Sequence, residues 1–289
     1  MFGKRIQSIF VGMAAAVAMA GSAQAGLVND VPSCYAATHI APDTHPYDRM
    51  LYVLLDQTVL LDPQLQQSVV NNTMRLLTPG TKFAIAEFSA YSQGRYLDVL
   101  RTGIIEKPLA HARVNETPMK AAARLAQCID MQRNFASKIV VTTLAQVLKA
   151  STSSLDQSDI MQAFKTVSPV VAQDPAAQKV VFVVTDALEN SSVSSFYAHG
   201  AVRLVNPEAE LAKAKAADML GDFGGARVYL LGAALMPPPD KGTKAQRDGY
   251  RDPRILHALS AFWHGYFKAS NANLVEFGEP ALVEPTSFQ

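Results

Sequence analysis

The stretch that decides the fold is Lys179-Val-Val-Phe-Val-Val-Thr-Asp186, in which five apolar residues lie between a lysine and a Thr-Asp pair. An apolar run without alternation is typical of a strand that is buried on both faces, because such strands lie in parallel sheets covered by helices. Two more runs of this kind occupy residues 50–56 and 227–232. Together the three runs predict an α/β domain.

The remaining elements extend this prediction. The run at 82–89 alternates more, and Ser92-Gln93-Gly94 predicts a turn into a second strand that ends at Ile105, so we expect one hairpin in the sheet. A further short strand is expected at 274–277. Helices are predicted after four cap-and-proline pairs: Asp62-Pro63, Thr117-Pro118, Asn206-Pro207 and Asp252-Pro253. The order predicts a doubly wound, mostly parallel sheet with one antiparallel edge strand and helices on both faces.

Composition and motifs exclude several classes of function. The 289 residues carry a formal charge of +1, which gives no electrostatic reason to expect a nucleic-acid partner. The sequence has no strand followed by G-x-G-x-x-G, no G-x-x-x-x-G-K-[ST] and no G-x-S-x-G. Dinucleotide-binding, nucleotide-binding and serine-hydrolase activities are therefore unsupported, and we expect a protein that is not an enzyme.

The first 25 residues resemble a secretory signal. Lys4 and Arg5 precede an apolar stretch at 9–20, and Ala23-Gln24-Ala25 is a small-x-small cleavage site. The apolar stretch is short for a membrane span, so we predict an exported protein, periplasmic or secreted, with no stable membrane insertion after cleavage. An uncleaved anchor is the alternative. The predicted domains are an N-terminal arm at 26–49 and one domain at 50–289, with a helical insertion at about 129–178.

Cys34 and Cys128 are the two cysteines of the chain. In an oxidising compartment a disulfide between them is favoured over two free thiols, which remain the alternative. Closing so long a loop is worth roughly 4 to 5 kcal/mol in the chain-entropy description. Such a bond would fasten the arm to the domain.

Polar residues follow two of the buried runs. Asp56 ends the first, with Thr58 two positions later, and Asp186 ends the stretch quoted above. Thr117 is expected just before a helix. Ligands of open α/β sheets bind at the carboxyl ends of the strands, and carboxylate and hydroxyl oxygens suit a hard cation. A site for Mg²⁺ or Mn²⁺ is therefore predicted there.

At these residues the chain resembles the von Willebrand factor type A domain, over about residues 50–277. The resemblance implies an adhesion site in which an Asp-x-Ser-x-Ser motif, a threonine and a later aspartate hold a metal, and a partner's acidic side chain completes the coordination. By position, Asp56 and Thr58 match the first two motif ligands, Thr117 the threonine and Asp186 the aspartate. The sequence departs from the pattern at Leu60, where a hydroxyl is expected, and at Ala187, where the family usually has glycine.

Two long connections follow buried strands, at 187–205 and 234–251, and long loops at strand ends are usually functional. We expect them to contact a protein partner through Glu189, Asn190, His199, Lys241, Lys244 and Arg247. The leading hypothesis is an exported binding or assembly module of a bacterial envelope or surface assembly. The alternatives are a metal-independent scaffold of the same fold and a metal-dependent hydrolase with Glu189 or His199 as the base.

Overall fold

The computed structural model describes residues 29–42, 45–89, 97–152, 158–198, 201–235 and 252–289. The predicted signal segment lies outside these residues. So do four residues expected to contact a partner: His199, Lys241, Lys244 and Arg247. Among the residues described, no helix is both long enough and apolar enough to cross a bilayer.

Six strands form the main sheet. They are β1 (Arg49–Asp56), β2 (Thr81–Phe88), β3 (Asp98–Ile105), β4 (Gln178–Val184), β7 (Ala226–Leu231) and β8 (Ala272–Phe277); a separate two-stranded ribbon consists of β5 (Tyr197–Ala198) and β6 (Ala201–Val202). The order across the main sheet is β3-β2-β1-β4-β7-β8. All neighbours are parallel except β2 and β3, which are antiparallel. This is the predicted α/β fold, similar to a von Willebrand factor type A domain, with one antiparallel edge strand.

The described helices are α1 (Cys34–Thr38), α2 (Pro63–Leu76), α3 (His111–Glu116), α4 (Met119–Ala150), α5 (Ile160–Gln173), α6 (Pro207–Ala216) and α7 (Pro253–Ala269). Asp62, Asn206 and Asp252 each cap a helix whose first residue is proline, as the sequence predicts. The pair Thr117-Pro118 behaves differently. Thr117 ends α3, its hydroxyl donates to the carbonyl of Arg113, and α4 begins without a side-chain cap. The predicted capping role of Thr117 is therefore wrong.

The helices cover both faces of the sheet. On one face, α2 and α4 pack against alternate strand residues such as Val53, Ile85 and Phe182. On the other face, α5 and α7 pack through an aromatic cluster in which Phe164 and Trp263 have ring centroids 5.5 Å apart. Apolar contact on both faces explains why the strands show no alternation.

Residues 129–178 are not a separate insertion. The range begins inside α4, a single helix of 32 residues, and then includes α5. The two helices lie on opposite faces of the sheet. Both are layers of the fold, because each covers strand residues that are otherwise exposed.

The N-terminal arm is attached to the edge strand β3 and to α4. Cys34 and Cys128 form the predicted disulfide, with their Cα atoms 5.6 Å apart. The carboxylate of Glu106, directly after β3, accepts hydrogen bonds from the hydroxyl of Ser33 (2.6 Å) and the amide of Cys34 (2.7 Å). The buried carboxylate thus binds the first turn of α1 beside the disulfide.

Candidate functional site

The candidate site lies at the carboxyl end of β1 and β4. Leu55 and Val184 are paired in the parallel register, so the next residue of each strand, Asp56 and Thr185, also lie side by side. The side chain of Thr185 donates to Oδ2 of Asp56 at 2.8 Å. Both residues are almost completely buried, Asp56 being 2% exposed.

Four hydrogen bonds surround the Asp56 carboxylate. Oδ1 accepts from the amide and the hydroxyl of Thr58, at 2.9 and 2.6 Å. Oδ2 accepts from the hydroxyls of Ser158 and Thr185, at 3.0 and 2.8 Å. A carboxylate has about four lone-pair positions, so these donors satisfy it. We call Asp56, Thr58, Ser158 and Thr185 the Asp56 network.

The Asp56 network joins three segments of the chain. Thr58 belongs to the loop after β1, Ser158 to the connection between α4 and α5, and Thr185 to the end of β4. The connection is further held where the amide of Thr152 donates to the carbonyl of Gln57 at 2.8 Å and where Ser158 pairs with Asn190. One buried carboxylate therefore fixes the relative positions of these loops.

Asp186 lies beside the network and is also buried. Its Oδ1 accepts from the amide of Leu188 at 2.9 Å, and its backbone carbonyl accepts from the amide of Ala234 at 2.8 Å. Burial, and then the negative charge of Asp56, raise the pKa of Asp186 well above its usual range. Burial also raises the pKa of Asp56, against the opposing effect of the hydrogen bonds from Thr58.

Glu189 does not lie on the partner-facing surface that the sequence predicts for it. The side chain is 1% exposed, and Oε2 accepts from the amide of Met161 in the first turn of α5 at 2.9 Å. Asp159, which precedes α5, makes no capping hydrogen bond to that helix. Burial raises the pKa of Glu189 to about 8. Glu189 therefore supplies the cap of α5 from a distant loop, and contact with a partner through this side chain is contradicted by its burial.

The site includes residues that sequence reasoning missed. Thr185 stands in the quoted stretch and could have been identified, since it follows the last apolar residue of β4. Ser158 has no comparable signal, because it follows no predicted strand and lies 102 positions from Asp56 in the sequence. Tyr197 on the β5–β6 ribbon is a third case: burial, and then the charges of Asp186 and Asp56, raise the pKa of its phenol.

Thr117 is not brought to this site. It precedes the first residue of α4, whereas Thr152 beside Gln57 follows the last residue of that helix. A helix of 32 residues is about 48 Å long at ~1.5 Å per residue, so α4 separates Thr117 from Asp56. Of the four predicted ligands, the structure brings together Asp56, Thr58 and Asp186.

The residues present do not fit a divalent cation in this arrangement. The hydroxyls of Thr58, Ser158 and Thr185 direct their protons at Asp56, whose oxygens are already satisfied. Leu60, at the position of the motif's second hydroxyl, is 51% exposed and offers no oxygen from its side chain. Within the described part of the chain, no three His, Cys, Asp or Glu side chains group closely enough to hold a metal ion.

Comparison with known proteins gives matches by structure alone. No known protein family matches the sequence, and no curated protein matches it. An aerotolerance-related membrane protein from Bacteroides fragilis is 13% identical with a TM-score of 0.34, over 79% of this chain and 92% of that one. The minor pilin PilB from Streptococcus sanguinis is 10% identical with a TM-score of 0.37, over 81% of this chain and 58% of the pilin. The N-terminal domain of TFIIH p34 is 10% identical with a TM-score of 0.25, over 82% of this chain and 95% of that domain. Because these TM-scores are below 0.5, the assignment of the fold rests on the strand order described above.

Proposed function

We propose that this chain is an exported, non-enzymatic binding module that contacts a protein partner through the carboxyl-end face of its sheet, without a resident divalent cation. The observation that carries the proposal is the Asp56 network, in which one buried carboxylate satisfied by four donors holds three loops together. Loops already fixed in position bind with a smaller loss of entropy than mobile ones. The network thus supports a preorganised surface.

Leu60 supports the choice of this face. It lies two residues after Thr58 and exposes 51% of its surface beside a site of otherwise buried polar groups. An apolar side chain stabilises a complex in proportion to the apolar surface that the partner removes from water. Leu60 is therefore the expected contact residue, and it occupies the position where the resembling family has a metal ligand.

Export is supported by two features. The sequence has a signal-like start, and the disulfide between Cys34 and Cys128 is of the kind that persists in oxidising compartments. A non-enzymatic role agrees with the chemistry of the site. Glu189, one of the two bases considered for the hydrolase alternative, is buried and caps α5, so it has no access to a substrate; the other, His199, lies outside the described residues.

Photocrosslinking in the native host tests the face. A benzophenone amino acid replaces Leu60 in one strain and Val170 in another. Val170 is 42% exposed on α5 and lies one turn before Asp174. Asp174 binds Lys82 near the start of β2, so Val170 lies toward the amino end of the sheet, away from the proposed face. We expect a discrete adduct from position 60, none from position 170, and no change with chelator. Equal adducts at both positions, or none, would contradict the proposal.

Calorimetric titration of Mg²⁺ and Mn²⁺ into the purified protein tests the cation separately. We expect no saturable heat in the wild-type protein or in Asp186→Ala. Saturable binding that the variant loses would overturn metal independence, while the crosslinking result would still decide whether the face binds protein.

A further inference from the structure

A second surface lies on the outer side of α4, far from the Asp56 network. Its residues recur at spacings of three and four, so they form one line along the helix, and each is exposed. We call this line the α4 stripe: Lys120, Arg124, Gln127, Met131, Phe135 and Lys138. Met131 and Phe135, at its centre, expose 58% and 46% of their surfaces. The acidic residue of α4, Asp130, points about 100° away from Met131 around the helix.

A recess opens beside the centre of the stripe. It has a volume of about 180 Å³ and is lined by Pro32, Cys34, Cys128, Met131, Gln132 and Phe135. The amide of Gln132 is engaged, since it donates to Pro32 and accepts from the backbone of Glu106. The recess therefore offers an apolar surface. An apolar cavity of roughly 150 Å³ can hold benzene, so one large apolar side chain fits here.

The same chain presents a matching protrusion after β8. Val283 is 92% exposed, while its neighbour Leu282 packs into the core. Glu279 and Glu284, on either side of Val283, are exposed as well. We call residues 278–284 the Val283 turn. This turn has an apolar side chain between acidic ones, whereas the α4 stripe has an apolar centre between basic ends. The two surfaces are therefore complementary in charge.

The Val283 turn is held rigidly. The carboxylate of Glu276 accepts hydrogen bonds from the amides of Val283 and Glu284, the latter at 3.1 Å. Gly232 donates to the carbonyl of Pro280 at 2.7 Å, and Gly278 donates to that of Leu230 at 2.8 Å. Solvent exposure of Val283 is thus a fixed feature of the turn, which costs little entropy to dock.

The two surfaces lie at opposite corners of the sheet. The recess adjoins Glu106, which follows the edge strand β3 at the amino end of the parallel strands. The Val283 turn follows the other edge strand, β8, at the carboxyl end. Six strands spaced by ~4.8 Å put these edges about 24 Å apart. The Val283 turn therefore cannot reach the recess of its own molecule.

We propose that a second copy of this chain docks its Val283 turn into the recess of the α4 stripe, with its glutamates beside Arg124 and Lys138. Such a contact joins two different surfaces. Each added copy leaves one free recess and one free turn, so the assembly grows head to tail into linear chains. This assembly is separate from the partner contact proposed for the carboxyl-end face.

Sedimentation velocity of the disulfide-bonded protein, from micromolar to submillimolar concentration, tests the assembly. We expect the mean mass to rise beyond that of a dimer in the wild-type protein. Val283→Asp and Phe135→Glu each weaken the association by at least about tenfold, as expected for a central apolar contact. Val170→Asp, an exposed valine on α5, is the matched control and leaves the association unchanged. Circular dichroism checks that the variants fold.

Mixing two variants distinguishes this head-to-tail contact from a symmetric contact between identical surfaces. Val283→Asp keeps an intact recess and Phe135→Glu keeps an intact turn, so an equimolar mixture forms dimers that do not grow further. Reversing the basic charges (Arg124→Glu with Lys138→Glu) weakens assembly, and adding Glu279→Lys with Glu284→Lys restores it. A wild-type protein that stays monomeric throughout, or one whose association neither Val283→Asp nor Phe135→Glu alters, overturns the proposal.

Discussion

Asp56 depends on hydroxyl donors from residues that are distant in sequence. Replacing Thr185 with valine keeps the shape of the side chain but removes one donor to a buried carboxylate. A hydrogen bond to a charged group contributes about 1.5 to 3 kcal/mol, so Thr185→Val should lower the free energy of unfolding by that amount. Urea denaturation measures the change.

Thr143 provides the control for that substitution. It is also buried, but its hydroxyl donates within α4 to the carbonyl of Ile139 at 2.8 Å. Because this bond is neutral and local, Thr143→Val should cost about 1 kcal/mol or less. Equal losses of unfolding free energy in the two variants would show that the charge of Asp56 does not strengthen its hydrogen bond with Thr185.

Glu189 makes stability depend on pH. Its pKa rises from an ordinary value of 4.5 to about 8 in the folded protein. Between these values the folded state binds more protons than the unfolded one, so stability is greatest below the lower value and falls as pH rises through the window. One such group changes stability by up to about 1.4 kcal/mol per pH unit.

Glu189→Gln isolates that contribution. The amide oxygen can still accept from Met161, and the variant has no charge to bury. We expect the wild-type protein to lose stability relative to Glu189→Gln as pH rises from 5 to 8, measured by thermal or urea unfolding. A difference that stays constant across this range, or that reverses, contradicts the assignment.

At the scale of elements, the arm is held by the disulfide, by Glu106 and by hydrogen bonds of Asp30 with Thr102 and of Pro32 with Gln132. Cys34→Ser with Cys128→Ser opens a loop of 94 residues and should cost about 4 kcal/mol of stability. The hydrogen bonds from Ser33 and Cys34 to Glu106 remain in that variant. We therefore expect the arm to stay docked after reduction.

Limited proteolysis tests the contribution of Glu106. In reduced wild-type protein the arm should resist cleavage between residues 29 and 42. Glu106→Ala in reduced protein should be cleaved there faster, because the carboxylate that binds the first turn of α1 is gone. The oxidised Glu106→Ala protein is the control. Rapid cleavage of the reduced wild-type arm would show that the disulfide alone holds it.

At the scale of the whole molecule, the C-terminal segment crosses α2 and β7. Thr286 is fully buried, and it donates to the side-chain oxygen and backbone carbonyl of Asn72 at 3.0 and 2.8 Å. Phe288 lies beneath the guanidinium of Arg49 at 5.6 Å. Deletion of residues 286–289 should lower stability by about 2 to 4 kcal/mol, whereas deletion of Gln289 alone should have little effect. Calorimetric unfolding measures both.

The sequence predicts the sheet well because its signals are local. The unbroken apolar runs and the Asp-Pro and Asn-Pro pairs identify strands and helix starts, and the disulfide is predicted from the two cysteines of a chain with a signal-like start. The candidate site is predicted only in part. Asp56 and Asp186 follow apolar runs and can be found by pattern, but Ser158 and Tyr197 lie in segments that carry no periodicity.

Thr117 shows what the sequence pattern does not predict, namely where in the fold a helix start is placed. Its position before a proline suggests a helix cap at the site, yet α4 runs the other way and carries it to the far end of the sheet. The direction in which a helix runs across the sheet depends on tertiary packing. Here that packing is decided by the contacts of Leu125, Ile129 and Gln132 with the arm and of Val140 and Leu144 with the sheet.

The geometry of α4 has a mechanical consequence. This helix is covalently joined to the arm through Cys128 in its N-terminal third, and just past its C-terminal end the amide of Thr152 donates to the carbonyl of Gln57, next to Asp56. Tension applied to the N-terminal arm therefore enters a stiff rod as well as the hydrogen bonds between Asp30 and Thr102 of β3. From Cys128 to Ala150 the helix is about 33 Å long at ~1.5 Å per residue, so it couples the arm mechanically to the loops around Asp56.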